Sequence, residues 1–154
     1  MKNILIPISL WETADRVAGQ GVKIAEAFQS NVRLLHIVRI PTNMARWPEE
    51  LKEQREREIE KIDQQLKQKA EEFTRPGVTV THEVVEAGGV VVTILEKAEE
   101  MNADLIVMGS HGRGALFGAI LGDVTRDVLR SSPCPVLVVP TVKRETDDKP
   151  NPNS

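Results

Sequence analysis

Five short apolar runs punctuate the chain: Ile4 to Ile8, Val32 to Val38, Val78 to Val85, Leu105 to Met108 and Val136 to Val139, all rich in β-branched residues. Runs of this kind read as strands. Between them the hydrophobic period changes to that of helices. Val17, Gly21, Ile24 and Phe28 share one helical face, backed by Ala14, Ala18 and Ala25. Ile59, Ile62, Leu66 and Phe73 form a stripe through the mixed-charge stretch Glu49 to Phe73, and Arg75, Pro76 and Gly77 end it. Gly88 and Gly89 lead into a third helix carrying Val91, Ile94, Leu95 and Ala98. A fourth runs from Asp123 to about Arg130.

Strands joined through helices pair in parallel by crossover connections, which predicts an α/β fold with a single open five-stranded sheet and helices on both faces. The first, second and fourth runs are nearly all apolar, as strands buried on both faces must be. The third alternates Val78, Val80, His82 and Val84 with Thr79, Thr81 and Glu83, the pattern of a half-exposed edge that turns His82 to solvent. A sheet order of 3-2-1-4-5 satisfies both patterns. It puts the switch point, where open α/β sheets bind ligands, between the first and fourth strands.

Composition narrows the function classes. The 154 residues suit one domain. A net charge of −3 with interspersed signs gives no field to draw in nucleic acid or an anionic membrane. The single cysteine, Cys134, excludes an internal disulfide and a cysteine-rich metal cluster, which fits a cytoplasmic protein. The apolar run after Lys2 is interrupted by Pro7 and lacks a signal peptide's cleavage site. No apolar stretch reaches the ~18 residues of a spanning helix. The three histidines show no metal-ligand spacing, and His36, inside an apolar strand, reads as a hydrogen-bonded core residue. Residues 141–154 are polar with two prolines and read as a disordered tail, leaving 1–140 as the domain.

The segment that carries chemistry follows the fourth strand: Gly109-Ser110-His111-Gly112-Arg113-Gly114, then residues 115–121, then Gly122-Asp123-Val124-Thr125 at the start of a helix. Glycines let backbone N–H groups approach an anion, and a helix start adds partial positive charge. A phosphate cradle and a plain glycine-rich surface loop are both compatible with these residues alone. The P-loop lysine and the dinucleotide fingerprint spacing are absent.

Gly109, Gly112 and Gly122 match the G-x2-G-x9-G-[S/T] motif of universal stress proteins, and the chain resembles that family over about residues 1–140. The resemblance implies a Rossmann-like, adenine nucleotide alpha hydrolase-like domain that binds ATP, ADP or AMP in a regulatory role under stress. It places the adenosine at Pro7, Ser9 and Ile37. Gly109 and His111 would flank the ribose and α-phosphate, while Gly112, Gly122, Asp123, Val124 and Thr125 would approach the phosphate chain. Arg113 is either a phosphate ligand or a solvated side chain. Family members also pair their last strands, which implies a homodimer through Val136 to Val139, whose apolar edge a monomer would expose.

Two positions depart from the motif. Ser9 stands where nucleotide-binding members carry an acidic residue, and with Glu12 it also fits a capping box for the first helix. Asp123 stands where the motif closes with serine or threonine. It serves as an N-cap, repels phosphate, or holds it through Mg²⁺. The second reading these departures open is a family member that has lost nucleotide and acts as an interaction dimer. No general base, nucleophile pair or catalytic metal site is legible, so at most slow ATP hydrolysis is expected.

Overall fold

A computed structural model of the chain describes residues 1–9, 13–111 and 121–141. Strands β1 (Asn3–Pro7), β2 (Asn31–Arg39), β3 (Val80–Ala87), β4 (Leu105–Gly109) and β5 (Val136–Val139) form one sheet in the order β3-β2-β1-β4-β5. Every pairing is parallel, with Ile4 opposite both Val32 and Leu105. Helices α1 (Ala14–Phe28), α2 (Glu49–Phe73), α3 (Val90–Glu100) and α4 (Asp123–Ser131) make the crossovers. The expected α/β architecture and strand order are both present.

The sheet separates two apolar layers. On one face Ile4, Ile6, Val32, Leu34 and Val107 pack against Val17, Ala18 and Val22 of α1 and Leu66 and Ala70 of α2. On the other, Leu5, Leu35, Ile106 and Met108 meet Ile94 and Ala98 of α3 and Val128 of α4. This alternation along β1, β2 and β4 is the two-sided burial their sequences require. The small residues of α1 let it lie close to the sheet, and Gly21 leaves the notch that Ile6 Cδ1 fills. Its buried face runs Ala14, Val17, Ala18, Gly21, Val22 and Ala25. Phe28, expected on that face, is 57% exposed at the last helical turn, where Gln29 turns the chain out in the left-handed region.

As expected for an edge, β3 pairs with β2 alone. Its His82 nevertheless does not face free solvent: α2 lies over this edge and brings the Asp63 carboxylate to 3.2 Å from Nε2. At the lower end of the sheet the Asp104 carboxylate accepts backbone N–H bonds from Asn3 (3.0 Å) and Lys2 (2.7 Å). These bonds, Asn3 first, hold its pKa below the ordinary 3.8. A depressed carboxylate contributes stability above its ordinary pKa and loses it as pH falls through the folded value. The stability gap between wild type and Asp104→Asn, followed by urea unfolding, is therefore expected to be constant near neutrality and to close below about pH 4. Among the described residues no helix is long and apolar enough to cross a membrane.

Candidate functional site

The C-terminal ends of β1, β2 and β4 converge where the strand order reverses, and a cleft of about 210 Å³ opens there. Its walls come from six places. The end of β1 gives Pro7, Ile8 and Ser9; β2 gives Leu35, His36 and Ile37; the β4 end gives Met108, Gly109 and His111. Thr13, Ala14 and Val17 lie at the start of α1, Val90 and Ile94 on α3, and Val124 and Thr125 on α4. Of the residues expected from sequence, Pro7, Ser9, Ile37, Gly109, His111, Val124 and Thr125 line this one cleft. Gly122 and Asp123 adjoin it at the start of α4. Gly112 and Arg113 lie outside the described residues.

Side-chain and backbone bonds close the glycine segment on itself. The Gly122 N–H donates to the Ser110 carbonyl (2.7 Å), and the buried Thr125 hydroxyl donates to the Gly109 carbonyl (2.8 Å). The ends of the segment, a dozen residues apart, are thus fixed side by side. Thr141 adds a second tie: its N–H donates to Ser110 Oγ (3.0 Å), and its Oγ1 accepts from the His111 N–H (3.1 Å). Composition placed Thr141 in the polar tail and gave no sign of this contact. Gly109 is required by crowding, since a Cβ there would sit 2.9 Å from Thr141 Cγ2 and 3.3 Å from Val17 Cγ2.

Two capping assignments are corrected. Helix α1 begins at Ala14 with Thr13 at its N-cap, so Ser9 lies too far upstream to cap it; Glu12 of the expected capping box is outside the described residues. Ser9 is left facing the cleft. At α4 the N-cap is Gly122, in extended backbone, and Asp123 is the first helical residue. Its carboxylate, 85% exposed, pairs with Arg126 at 2.6 Å, one turn on, while still favouring the positive end of the helix.

His36 is hydrogen-bonded as expected, Nδ1 lying 2.8 Å from the Ile8 carbonyl, but it sits on the cleft wall rather than within the core. Thr13, Met108, Val90 and Ile94 were likewise not anticipated, although Met108 directly precedes the motif's first glycine. The α3 residues carry no motif signal, because their place at the cleft is set by the β3–α3 crossover. No charged side chain lines the cleft among the described residues. Its surface is mostly apolar with a few hydroxyl and imidazole groups, suited to a flat heteroaromatic group at one end and to the α4 N-terminus at the other.

A parallel five-stranded sheet covered by helices on both faces, with a mostly apolar cleft at its switch point, defines an open α/β protein whose ligand site falls at the strand ends. The model of the universal stress protein family matches residues 1–140, and the chain belongs to that family. It is 33% identical over 152 residues to universal stress protein MJ0531 of Methanocaldococcus jannaschii, covering 94% of this chain and 85% of that one. Among solved structures, UspA from Lactobacillus plantarum superposes with a TM-score of 0.76 at 24% identity, covering 90% of this chain and 97% of its own. The structure of protein MJ0577 superposes at 0.72 with 30% identity, covering 93% of this chain and 98% of its own.

Proposed function

We propose that the cleft binds an adenine nucleotide and that this binding is the protein's regulated property. The observation that carries the reading is the convergence of Pro7, Ser9 and Ile37 with Gly109, Val124 and Thr125 on one cleft. The apolar strand ends suit a base, and the glycine segment with the α4 N-terminus suits ribose and phosphate. Two proteins of the same fold hold adenosine phosphates. One is a universal stress protein in complex with cAMP (TM-score 0.65, 20% identity), the other an Arabidopsis thaliana family protein with AMP bound (0.62, 17%). At those identities they support the capacity of the fold.

A ligand present at 100 times its dissociation constant stabilises the native state by ≈ 2.7 kcal/mol. For a domain of this size that raises the melting temperature by about 5–10 °C. Thermal melts with AMP are expected to show such a shift, saturating with concentration, while inorganic phosphate at equal concentration leaves the curve in place. Equal melts with and without AMP, ADP and ATP at millimolar concentration would remove the proposal.

We also infer that the protein pairs through β5. This strand has β4 on one side and none of the described strands on the other, and Leu137 on it is 36% exposed. An apolar edge of this kind is completed by a second copy. Leu137→Lys is expected to convert a dimer into a monomer in sedimentation velocity at micromolar concentration; a monomeric wild type would exclude the arrangement. If no nucleotide binds, this pairing is the property that remains, and the protein acts as an interaction dimer.

A further inference from the structure

Thr141, just beyond the end of β5, touches three consecutive residues of the glycine segment. Its Cγ2 lies against Gly109, where a Cβ would come within 2.9 Å of it. Its N–H donates to Ser110 Oγ at 3.0 Å. Its Oγ1 accepts from the His111 N–H at 3.1 Å and donates to the His111 carbonyl at 3.2 Å, so one hydroxyl holds both backbone polar groups of His111. Other bonds fix the neighbouring residues. The buried Ser110 donates its N–H to the Val139 carbonyl (2.8 Å) and accepts from Gly122, while the Gly109 carbonyl accepts from Thr125 Oγ1. Gly109 and His111 line the cleft, whereas Ser110 and Thr141 do not. Thr141 therefore stands behind the cleft wall and reaches a ligand only through the residues it holds. The end of β4, the start of α4 and the chain leaving β5 meet at this junction.

We propose that Thr141 is a positioning residue of the cleft, and that the chain leaving β5 thereby sets the cleft's affinity for its ligand. The inference rests on the nucleotide reading above and adds a regulating contact to it. With the hydroxyl docked, the His111 backbone is fixed beside Gly109 and both residues stand where they line the cleft. Undocking costs the hydrogen bonds of a partly buried N–H and carbonyl and loosens His111 on the cleft wall. A ligand seated against Gly109 and His111 is complementary to the docked arrangement, so the ligand and the docked hydroxyl favour one another. Coupling of this kind is reciprocal: the ligand tightens the hold on the chain leaving β5 by the same factor by which the docked hydroxyl raises affinity. Occupancy of the cleft is in this way signalled at the edge of the sheet.

The test is calorimetry of AMP binding to the full chain as wild type, Thr141→Val and Thr141→Ser. Valine keeps the shape of threonine and the backbone N–H and removes the hydroxyl; serine keeps the hydroxyl and removes the methyl group. Thr141→Val is expected to weaken AMP about tenfold, and Thr141→Ser to bind it within about twofold of wild type. A role in stability alone would shift the melting temperatures and leave the affinity of the folded protein unchanged. Hydrogen exchange of the wild-type amides, followed by NMR, gives a readout that does not depend on a variant folding. Saturating AMP is expected to slow the His111 N–H about tenfold more than it slows the amides of α2, which contributes nothing to the cleft wall. If Thr141→Val binds AMP as wild type does, if Thr141→Ser weakens it as much as valine, or if the His111 N–H slows no more than α2, the role of Thr141 is wrong and the nucleotide site stands. If AMP does not bind wild type, the site itself is wrong and the inference goes with it.

Discussion

Ile6→Ala is expected to lower the free energy of unfolding by roughly 2–5 kcal/mol, a large share of the ~5–15 kcal/mol that holds a domain folded. Ile6 is fully buried in the central strand, between β2 and β4, and its Cδ1 occupies the notch that Gly21 leaves in α1. Truncation empties that notch, and no neighbouring side chain can fill it without moving α1. The contact also works in reverse. A Cβ at Gly21 would overlap Ile6 Cδ1, with Val107 Cγ2 at 3.6 Å behind it. Gly21→Ala is therefore expected to destabilise the wild type despite the ~1 kcal/mol that alanine gains in helix propensity. In an Ile6→Ala background, where Cδ1 and the Cγ1 atom 3.2 Å from that Cβ are both gone, the same change is expected to stabilise. Urea unfolding of the four variants checks the reversal, and a Gly21→Ala effect of one sign in both backgrounds would contradict this packing.

Gly109→Val is expected to have the largest effect on ligand. The residue ends β4, lines the cleft and supplies the carbonyl that Thr125 holds. Its Cβ would already press on Thr141 and Val17, and the added methyl groups project into the same crowded corner. Valine suits the strand backbone, so the fold is expected to persist while AMP binding weakens by roughly two orders of magnitude. Thr141→Ser, which deletes Cγ2, is expected to recover stability but not affinity. Restored affinity in the double variant would mean that the glycine serves the tie to Thr141 rather than the ligand.

Most of the fold was legible because the strands are written in β-branched runs and the crossovers in helical stripes. The edge character of β3 was legible for the same reason, through Val80 and Thr81. What escaped was tertiary. Phe28 fits the helical period yet is exposed, because α1 ends there. His82 alternates toward solvent until α2 brings Asp63 over it. Ser9 and Glu12 have capping-box spacing, but the helix starts at Ala14 with Thr13 at its N-cap. Asp123 has cap chemistry, but Gly122 takes the extended N-cap backbone and leaves Asp123 to Arg126. At the site, the motif residues marked the glycine segment and the two strand ends. The apolar run around His36 points to a core position, whereas the fold bonds its Nδ1 to the Ile8 carbonyl and sets the residue on the cleft wall.

The most direct test is calorimetric titration of nucleotide-stripped protein with AMP, ADP and ATP, each with and without Mg²⁺, comparing wild type with Asp123→Ser. Saturable binding of an adenine nucleotide to wild type, with a dissociation constant on the order of micromolar, is the predicted result. Any change with Asp123→Ser would grow with phosphate count if the carboxylate faces the phosphate chain, and its sign with and without Mg²⁺ would separate repulsion from metal bridging. No binding to wild type, with binding gained in Asp123→Ser, would contradict the account and make this chain a family member whose cleft is closed to nucleotide.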